Sequence, residues 1–227
     1  MGVHDGHRKR LRARFIEHNL NSFNDINSLE LLLSFAIPRK DTNELAHALI
    51  DRFGSLKAVF EASHQELLEI DGIGENAAVL ISLVPQIYKK AAVCIANEKK
   101  VLNNERLLAE YLMPRFLNEI DEVFYMLCLD NKCTVIKCVE LSRGTADYVD
   151  TNIRKVVETA ITSRASFIVI AHNHPRGPVT PSIEDDEVTR RIFRALKSVS
   201  IKLVDQLIFT GENYFSYVKY GRINVFM

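Results

Sequence analysis

Residues 167–186 constrain the fold of this chain more than any other stretch. The stretch opens with the apolar residues 167–170, three of them β-branched, a composition typical of a buried strand. His172 and His174 follow at the end of this run. Because side chains two residues apart on a strand point to the same face, the two imidazoles can converge on one metal ion. The sequence therefore predicts a buried strand that delivers two candidate ligands to one point.

A stiff loop and the start of a helix follow the histidines. Residues 175–181 contain three prolines and one glycine, so the strand cannot continue through them. Ser182 stands where a helix N-cap is expected, with acidic residues in the first turn after it. Asp185, in that turn, is a candidate third ligand. Two histidines and a carboxylate leave one coordination position of zinc open for water, which is typical of a hydrolytic site.

The spacing of these residues resembles the signature of the JAMM (JAB/MPN) metalloproteases, H-x-H-x7-S-x2-D, at every defined position. Neighbouring residues make the chain similar to the RadC branch of that family over about residues 8–222. The resemblance implies a curved sheet flanked by helices and a Zn2+ ion bound by His172, His174 and Asp185. It also implies hydrolysis of peptide or isopeptide bonds, so a protein or peptide substrate is the expected partner.

The resemblance implies two catalytic residues in addition to the ligands. A serine of this family stabilises the oxyanion, and Ser182 stands at the matching position; a hydroxyl placed there is worth a few kcal/mol. A glutamate of the family accepts the proton of the attacking water and precedes the first strand. Glu122, directly before the apolar residues 123–129, matches that place, and Glu140 on the next predicted strand is the alternative.

Two positions depart from the pattern of RadC proteins. Relatives usually read H-N-H-P-S-G, and Arg176 replaces the serine here. They usually carry Asp-His in the penultimate strand, where this chain has Asp205 and Gln206. Neither change removes a predicted ligand. Zinc binding is therefore expected to persist, whereas contacts to the substrate and the groups that support the ligands are expected to differ.

The N-terminal part of the chain is predicted to form a series of short helices. Gly72-Ile73-Gly74 lies between two of them, as a tight turn whose uncovered N–H groups can bind a phosphate. The turn resembles a helix-hairpin-helix motif, which makes Gly72, Ile73 and Gly74 candidate DNA-binding residues. The alternative is that the hairpin packs two helices or docks a protein. Residues 1–100 are thus predicted as a helix-hairpin-helix domain and residues 101–227 as a JAB/MPN-type metal-binding domain.

Composition narrows the function classes further. Lys plus Arg and Asp plus Glu are equal at 29 each, so no overall charge favours nucleic acid. The basic segment 7–14 is either a solvated helix face or an arm that contacts phosphates. The four cysteines form no C-x-x-C pair, which predicts reduced thiols. We expect a cytoplasmic protein, since neither a signal peptide nor an apolar run of membrane-spanning length is evident.

Hairpins alternate with helical crossovers in residues 101–227, with a last strand expected over residues 214–220. This pattern predicts an α+β or mixed α/β fold, preceded by a small all-α domain. The leading function is a zinc-dependent metallohydrolase with an attached DNA- or protein-docking domain. The alternative is a non-enzymatic DNA-binding or DNA-repair accessory protein with a structural metal site. A zinc nucleobase deaminase would carry P-C-x-x-C, which does not occur.

Overall fold

The computed structural model describes residues 3–38, 40–98, 101–144 and 153–223. The chain divides into two compact units, Met1–Tyr88 and Lys89–Met227, and the division falls inside one long helix. The described part of the first unit is helical, and the second contains a mixed sheet flanked by helices. The predicted fold class is therefore confirmed, whereas the predicted boundary after residue 100 stays a prediction.

The helices of the N-terminal unit begin at polar caps and share one core. Asn24, Ser55 and Ser63 each accept a hydrogen bond from a backbone N–H three residues later, as N-caps do. Apolar side chains of the second to the sixth helix pack together, with Leu29 and Ile81 among the fully buried ones. The helices are α1 (Val3–His18), α2 (Asp25–Ala36), α3 (Asn43–Phe53), α4 (Leu56–Glu61), α5 (His64–Leu68) and α6 (Glu75–Asn97).

The basic segment 7–14 lies within α1. The Arg8 guanidinium donates to the carbonyl of Ile37 at 2.9 Å and also to those of Pro38 and Lys40, just past the end of α2. The Arg14 guanidinium donates to Asn27 Oδ1 at 2.9 Å. At least two cations of this segment therefore support neighbouring helices, which is a structural role and needs no phosphate.

Helix α6 is, among the described helices, the one long and apolar enough to cross a membrane by length and composition. The expectation that no run reaches this length is therefore wrong, because Lys89 and Lys90 are the only charges after the first residue of α6. The first turns of α6 bury Ala77, Ala78 and Ile81 in the helical core. Length and apolar composition alone are weak evidence for membrane contact.

The second unit is built on a five-stranded sheet in the order β2-β1-β3-β4-β5. The pair β3–β4 is parallel and the other neighbouring pairs are antiparallel. The crossover between the parallel strands carries helix α9, as a parallel connection requires. The strands are β1 (Val123–Leu129), β2 (Val135–Arg143), β3 (Phe167–Asn173), β4 (Lys202–Thr210) and β5 (Asn213–Ser216), and the helices are α7 (Glu105–Leu112), α8 (Ile153–Thr162) and α9 (Ile183–Ser198).

Each face of the sheet carries its own apolar layer. Ile168 and Ile170 of β3 belong to the core that includes α8 and α9, whereas Val169 and Ala171 belong to the core that includes α7. Successive residues of a strand alternate between faces. His172 therefore lies on the face covered by α8 and α9, and its neighbour on the strand points to the other face.

The last strand is shorter than predicted, because β5 ends at Ser216 and does not continue to residue 220. The buried carboxylate of Asp205 on β4 accepts hydrogen bonds from the Ser216 hydroxyl at 2.6 Å and from the Val218 N–H at 3.0 Å. The N–H of Tyr220 then donates to the carbonyl of Ser216, which closes a turn. A buried polar anchor on the neighbouring strand thus ends β5.

Candidate metal centre

The three predicted ligands meet at the carboxyl end of β3. The Nε2 atoms of His172 and His174 lie 3.1 Å apart. Asp185 Oδ1 lies 3.0 Å from Nε2 of His172, and Asp185 Oδ2 lies 3.4 Å from Nε2 of His174. One ligand atom from each residue lies within 4.8 Å of the other two. The structure therefore brings together all three residues in a group of the size that one metal ion requires.

Three different elements position these side chains. His172 is fully buried and forms the last residue pair of β3 with β1, opposite Phe124. His174 lies just beyond the strand, where its N–H donates to the carbonyl of Phe209 on β4 at 2.8 Å. Asp185 lies in the first turn of α9 and is 3% exposed. A strand, a loop tied to β4 and a helix start thus converge on one point.

The proline-rich loop orients the ring of His174. Nδ1 of His174 lies 2.7 Å from the carbonyl oxygen of Pro178. A carbonyl can only accept, so Nδ1 carries the hydrogen, and the lone pair of Nε2 is left pointing at the centre. The hydroxyl of Thr210 lies 3.3 Å and 3.4 Å from the carbonyls of His174 and Gly177, which ties the same loop to the end of β4. This support is typical of metal-binding histidines.

Ser182 and Asp185 form a reciprocal cap at the start of α9. The Asp185 N–H donates to Ser182 Oγ at 3.0 Å, and the N–H and hydroxyl of Ser182 both lie 2.7 Å from Asp185 Oδ2. The predicted N-cap is confirmed. Because Oδ2 already accepts hydrogen bonds from Ser182, Oδ1 remains the oxygen available to a metal. The oxyanion role of Ser182 stays a prediction.

The same contacts shift the pKa values of the three side chains. Complete burial lowers the pKa of His172, although Asp185 acts in the other direction. The hydrogen bond to Asp185 raises the pKa of His174 against the effect of burial. Burial on its own would raise the pKa of Asp185, but the two histidines hold it well below its usual value. An ionised carboxylate beside imidazole nitrogens is a donor set that fits zinc.

Glu122 lies at the wall of a cleft of about 700 Å³ that Ser182, His174 and Asp185 also line. The residue stands directly before β1. The structure thus places the predicted proton acceptor in the same cleft as two of the candidate ligands.

The alternative glutamate lies on the other face of the sheet. Glu140 on β2 is paired with Tyr125 of β1, and its carboxylate accepts a hydrogen bond from the Tyr125 hydroxyl at 3.0 Å. Tyr125 packs against the core of α7, away from His172. Arg143 also binds the carboxylate of Glu140, at 2.9 Å. The geometry therefore favours Glu122 over Glu140.

Asn173 is a residue of the site that sequence reasoning missed. It is 4% exposed, and its Oδ1 accepts a hydrogen bond from the N–H of Val123 at 2.8 Å. Its Nδ2 donates to the carbonyl of Asp121 at 3.0 Å. The backbone on both sides of Glu122 is thus bound by one side chain. The available signal was strand alternation, which points a residue between two ligands to the opposite face.

The two departures from the family pattern lie beside the centre. Arg176 is exposed and lines the cleft. Gln206 is buried on β4, and its side chain contacts the hydroxyl of Thr189, which lies 2.6 Å from the carbonyl of Asp185. Gln206 therefore supports α9 one turn after the carboxylate ligand.

The predicted hairpin lies between α5 and α6. Gly72 has φ of 86°, and a Cβ there would approach Leu45 Cδ2 to 2.8 Å. Ile73 is buried in the helical core, and the carbonyl of Gly74 accepts the first hydrogen bonds of α6. The flanking charges are acidic, namely Glu69, Asp71 and Glu75. These charges oppose phosphate binding, and DNA contact by this turn stays a prediction.

A mixed sheet with H-x-H at the end of a central strand and S-x-x-D at the start of the next helix defines a JAB-type domain. The family model described as RadC-like JAB domain matches residues 102–222, and the chain belongs to this family. The resemblance found in the sequence is thereby confirmed.

Curated relatives match almost the whole chain. A UPF0758 protein of Fusobacterium nucleatum is 36% identical over 225 residues, covering 96% of this chain and 97% of the relative. A UPF0758 protein of Ruegeria pomeroyi is 34% identical over 202 residues, covering 89% and 90%. One of Paraburkholderia xenovorans is 29% identical over 210 residues, covering 92% and 83%. The similarity therefore extends beyond the RadC-like JAB domain into the helical unit.

Proposed function

We propose that this protein is a zinc-dependent hydrolase of peptide or isopeptide bonds. The observation that carries the proposal is the convergence of His172, His174 and Asp185, of which His174 and Asp185 line a cleft that Glu122 shares. The described residues offer three ligands here. A structural zinc site usually has four protein ligands, whereas a catalytic site keeps one position open, so three ligands beside a cleft favour catalysis.

The residues of the cleft supply the remaining chemistry. When bound, zinc would act as a Lewis acid that makes water a nucleophile near neutral pH and polarises the amide carbonyl. Glu122 accepts a proton from the water and returns it to the leaving nitrogen, since it lines the same cleft as His174 and Asp185. Ser182 turns its hydroxyl from Asp185 to the carbonyl oxygen as negative charge develops there.

The accessory-protein alternative depends on the hairpin of the helical unit. Its turn exposes the start of α6, as a phosphate site would, but Glu75 occupies the first turn of that helix and lies 3.2 Å from His64. DNA affinity of this unit would be sequence-independent and would fall steeply as salt rises. The acidic flank makes the hydrolase the better-supported function.

Two glutamine variants test the hydrolase proposal. Glu122→Gln keeps the shape of the side chain and removes the proton acceptor, so the rate of amide hydrolysis should fall about 100- to 10,000-fold with zinc content unchanged. Glu140→Gln is the matched control, because that carboxylate binds Tyr125 and Arg143 on the opposite face. The rate is measured on peptide and isopeptide-linked substrates.

Either of two outcomes contradicts the proposal. An active Glu122→Gln variant together with an inactive Glu140→Gln variant would show that Glu140, and not Glu122, is the proton acceptor. A zinc-loaded wild-type protein with no activity on any amide in the panel would shift the function to the accessory-protein alternative.

A further inference from the structure

We infer that Asn173 is the positioning residue of Glu122 and sets where the proton acceptor lies relative to the metal centre. The inference rests on the proposed function. It follows from one side chain that binds the backbone on both sides of Glu122, and from the place of that side chain between the two histidine ligands.

The strand ladder does not by itself hold Glu122 against β3. The pairing of β1 with β3 runs from Phe124, opposite His172, to Leu129. One residue further, the Asn173 side chain takes the place of a backbone partner. It accepts from the N–H of Val123 and donates to the carbonyl of Asp121, the two backbone groups that flank Glu122.

A second strand completes the support from the other side. The N–H of Gly144, just after β2, donates to the carbonyl of Glu122 at 2.9 Å. The peptide groups before and after Glu122 are therefore bound by Asn173 on one side and by Gly144 on the other. With its backbone fixed in this way, Glu122 retains only its side-chain torsions, and the residue lines the cleft.

The position of Asn173 links the base to the ligands through the chain itself. His172 and His174 project toward α9, and Asn173 projects to the opposite face, where it reaches residues 121–123. Three consecutive residues thus set both the metal centre and the base. A displacement of about 1 Å between reacting groups can lower a rate about 100-fold, so this link bears on catalysis directly.

An amide is the side chain that this position requires. Asparagine offers one acceptor and one donor in a single plane, which the Val123 N–H and the Asp121 carbonyl use together. Aspartate at 173 keeps the acceptor for Val123 but has no hydrogen for Asp121. Alanine leaves both backbone groups without this partner. The aspartate variant therefore removes one of the two hydrogen bonds, and the alanine variant removes both.

The test combines Asn173→Ala and Asn173→Asp with Glu122→Gln. Asn173→Ala should retain one zinc per chain, and its kcat should fall about 10- to 100-fold with little change in KM, because the base moves and the cleft does not. Asn173→Asp should show a smaller loss. In the Glu122→Gln background, Asn173→Ala should lower kcat less than about twofold, since no base is left to position.

Asn104→Ala is the matched control. Asn104 also accepts a hydrogen bond from a backbone N–H through its side chain, at the start of α7, and its side-chain hydrogen bonds among the described residues are to Leu107 and Asn103. This variant should lose some stability and keep the wild-type kcat. An equal loss of kcat from Asn173→Ala in both backgrounds would make Asn173 a merely structural residue and overturn the inference.

Hydrogen exchange gives a readout that needs no substrate. Removal of the acceptor in Asn173→Ala should speed exchange of the Val123 amide, while Asn173→Asp and Asn104→Ala should leave it protected. Unchanged protection of Val123 in Asn173→Ala overturns the inference even if the wild-type protein hydrolyses nothing. If Asn173→Ala does not fold, Asn173→Asp carries the test through its partial loss of kcat. An inactive wild type with altered exchange would instead count against the proposed function.

Discussion

At the scale of single residues, the site is made of candidate metal ligands that other side chains hold in place. Ser182 caps α9 and binds the ligand carboxylate, and Pro178 fixes the tautomer of His174. Such supporting groups change metal affinity or activity by about 10- to 100-fold when they are removed. The ligands were predictable from spacing, because H-x-H on a strand and S-x-x-D at a helix start are local patterns.

Ser182→Ala separates the capping role from the role in the site. The variant should lose about 1 kcal/mol of unfolding free energy with the cap, and at least tenfold in zinc affinity or hydrolysis rate with the support of Asp185. Ser63→Ala is the matched control, since Ser63 forms the same capping box with Glu66 on α5. It should lose a similar free energy in urea unfolding and keep zinc. Equal zinc affinity and equal hydrolysis rate in the two variants would show that Ser182 acts only as a cap.

Asp205 makes stability depend on pH. Burial raises its pKa from the ordinary 3.8 to about 6, against the hydrogen bonds from Ser216 and Val218. The folded protein therefore binds this proton more tightly than the unfolded chain does. The stabilisation is fully present below about pH 4 and is lost as pH rises through 6.

Asp205→Asn keeps the shape and removes the titration. From pH 4 to pH 7, the unfolding free energy of metal-free Asp205→Asn should rise relative to wild type by roughly 3 kcal/mol, from about two pKa units at 1.36 kcal/mol each. Urea unfolding at several pH values measures this difference. A difference that stays constant over that range would show that Asp205 does not titrate there.

At the scale of elements, local patterns predicted where helices begin, whereas pairing between strands was not predictable. The N-caps Ser63 and Ser182 carry their signal within three residues. The early end of β5 depends on Asp205 of β4, and the role of Asn173 depends on the register of β1 against β3. The residues of β5 and of the segment around Asn173 do not by themselves determine these contacts with neighbouring strands. Both features therefore became visible only in the structure.

The hairpin between α5 and α6 offers a paired test of backbone geometry. Gly72→Ala places a Cβ at positive φ and 2.8 Å from Leu45 Cδ2, so it should cost about 1–3 kcal/mol of stability. Gly74→Ala meets open space and should cost well under half as much. Thermal unfolding of the two variants measures the difference. Equal losses would show that the strain at Gly72 is relieved by movement of Leu45.

At the scale of the whole molecule, the order of elements predicted the class of fold. A helical region followed by strands mixed with crossovers gave the α+β assignment that the sheet and the family match bear out. The division into units was harder to place, because α6 continues from Met1–Tyr88 into Lys89–Met227 without a break. Composition changes only after this helix, which is why the boundary was predicted there.

The zinc content of purified protein tests the central claim most directly. Elemental analysis should find one zinc per chain in the wild type and in Glu140→Gln, whose carboxylate lies on the other face of the sheet. His172→Ala and Asp185→Ala, shown to be folded by circular dichroism, should each lose the ion, because two remaining ligands cannot hold it tightly. A stoichiometric zinc ion retained by either folded ligand variant would contradict the proposed metal centre.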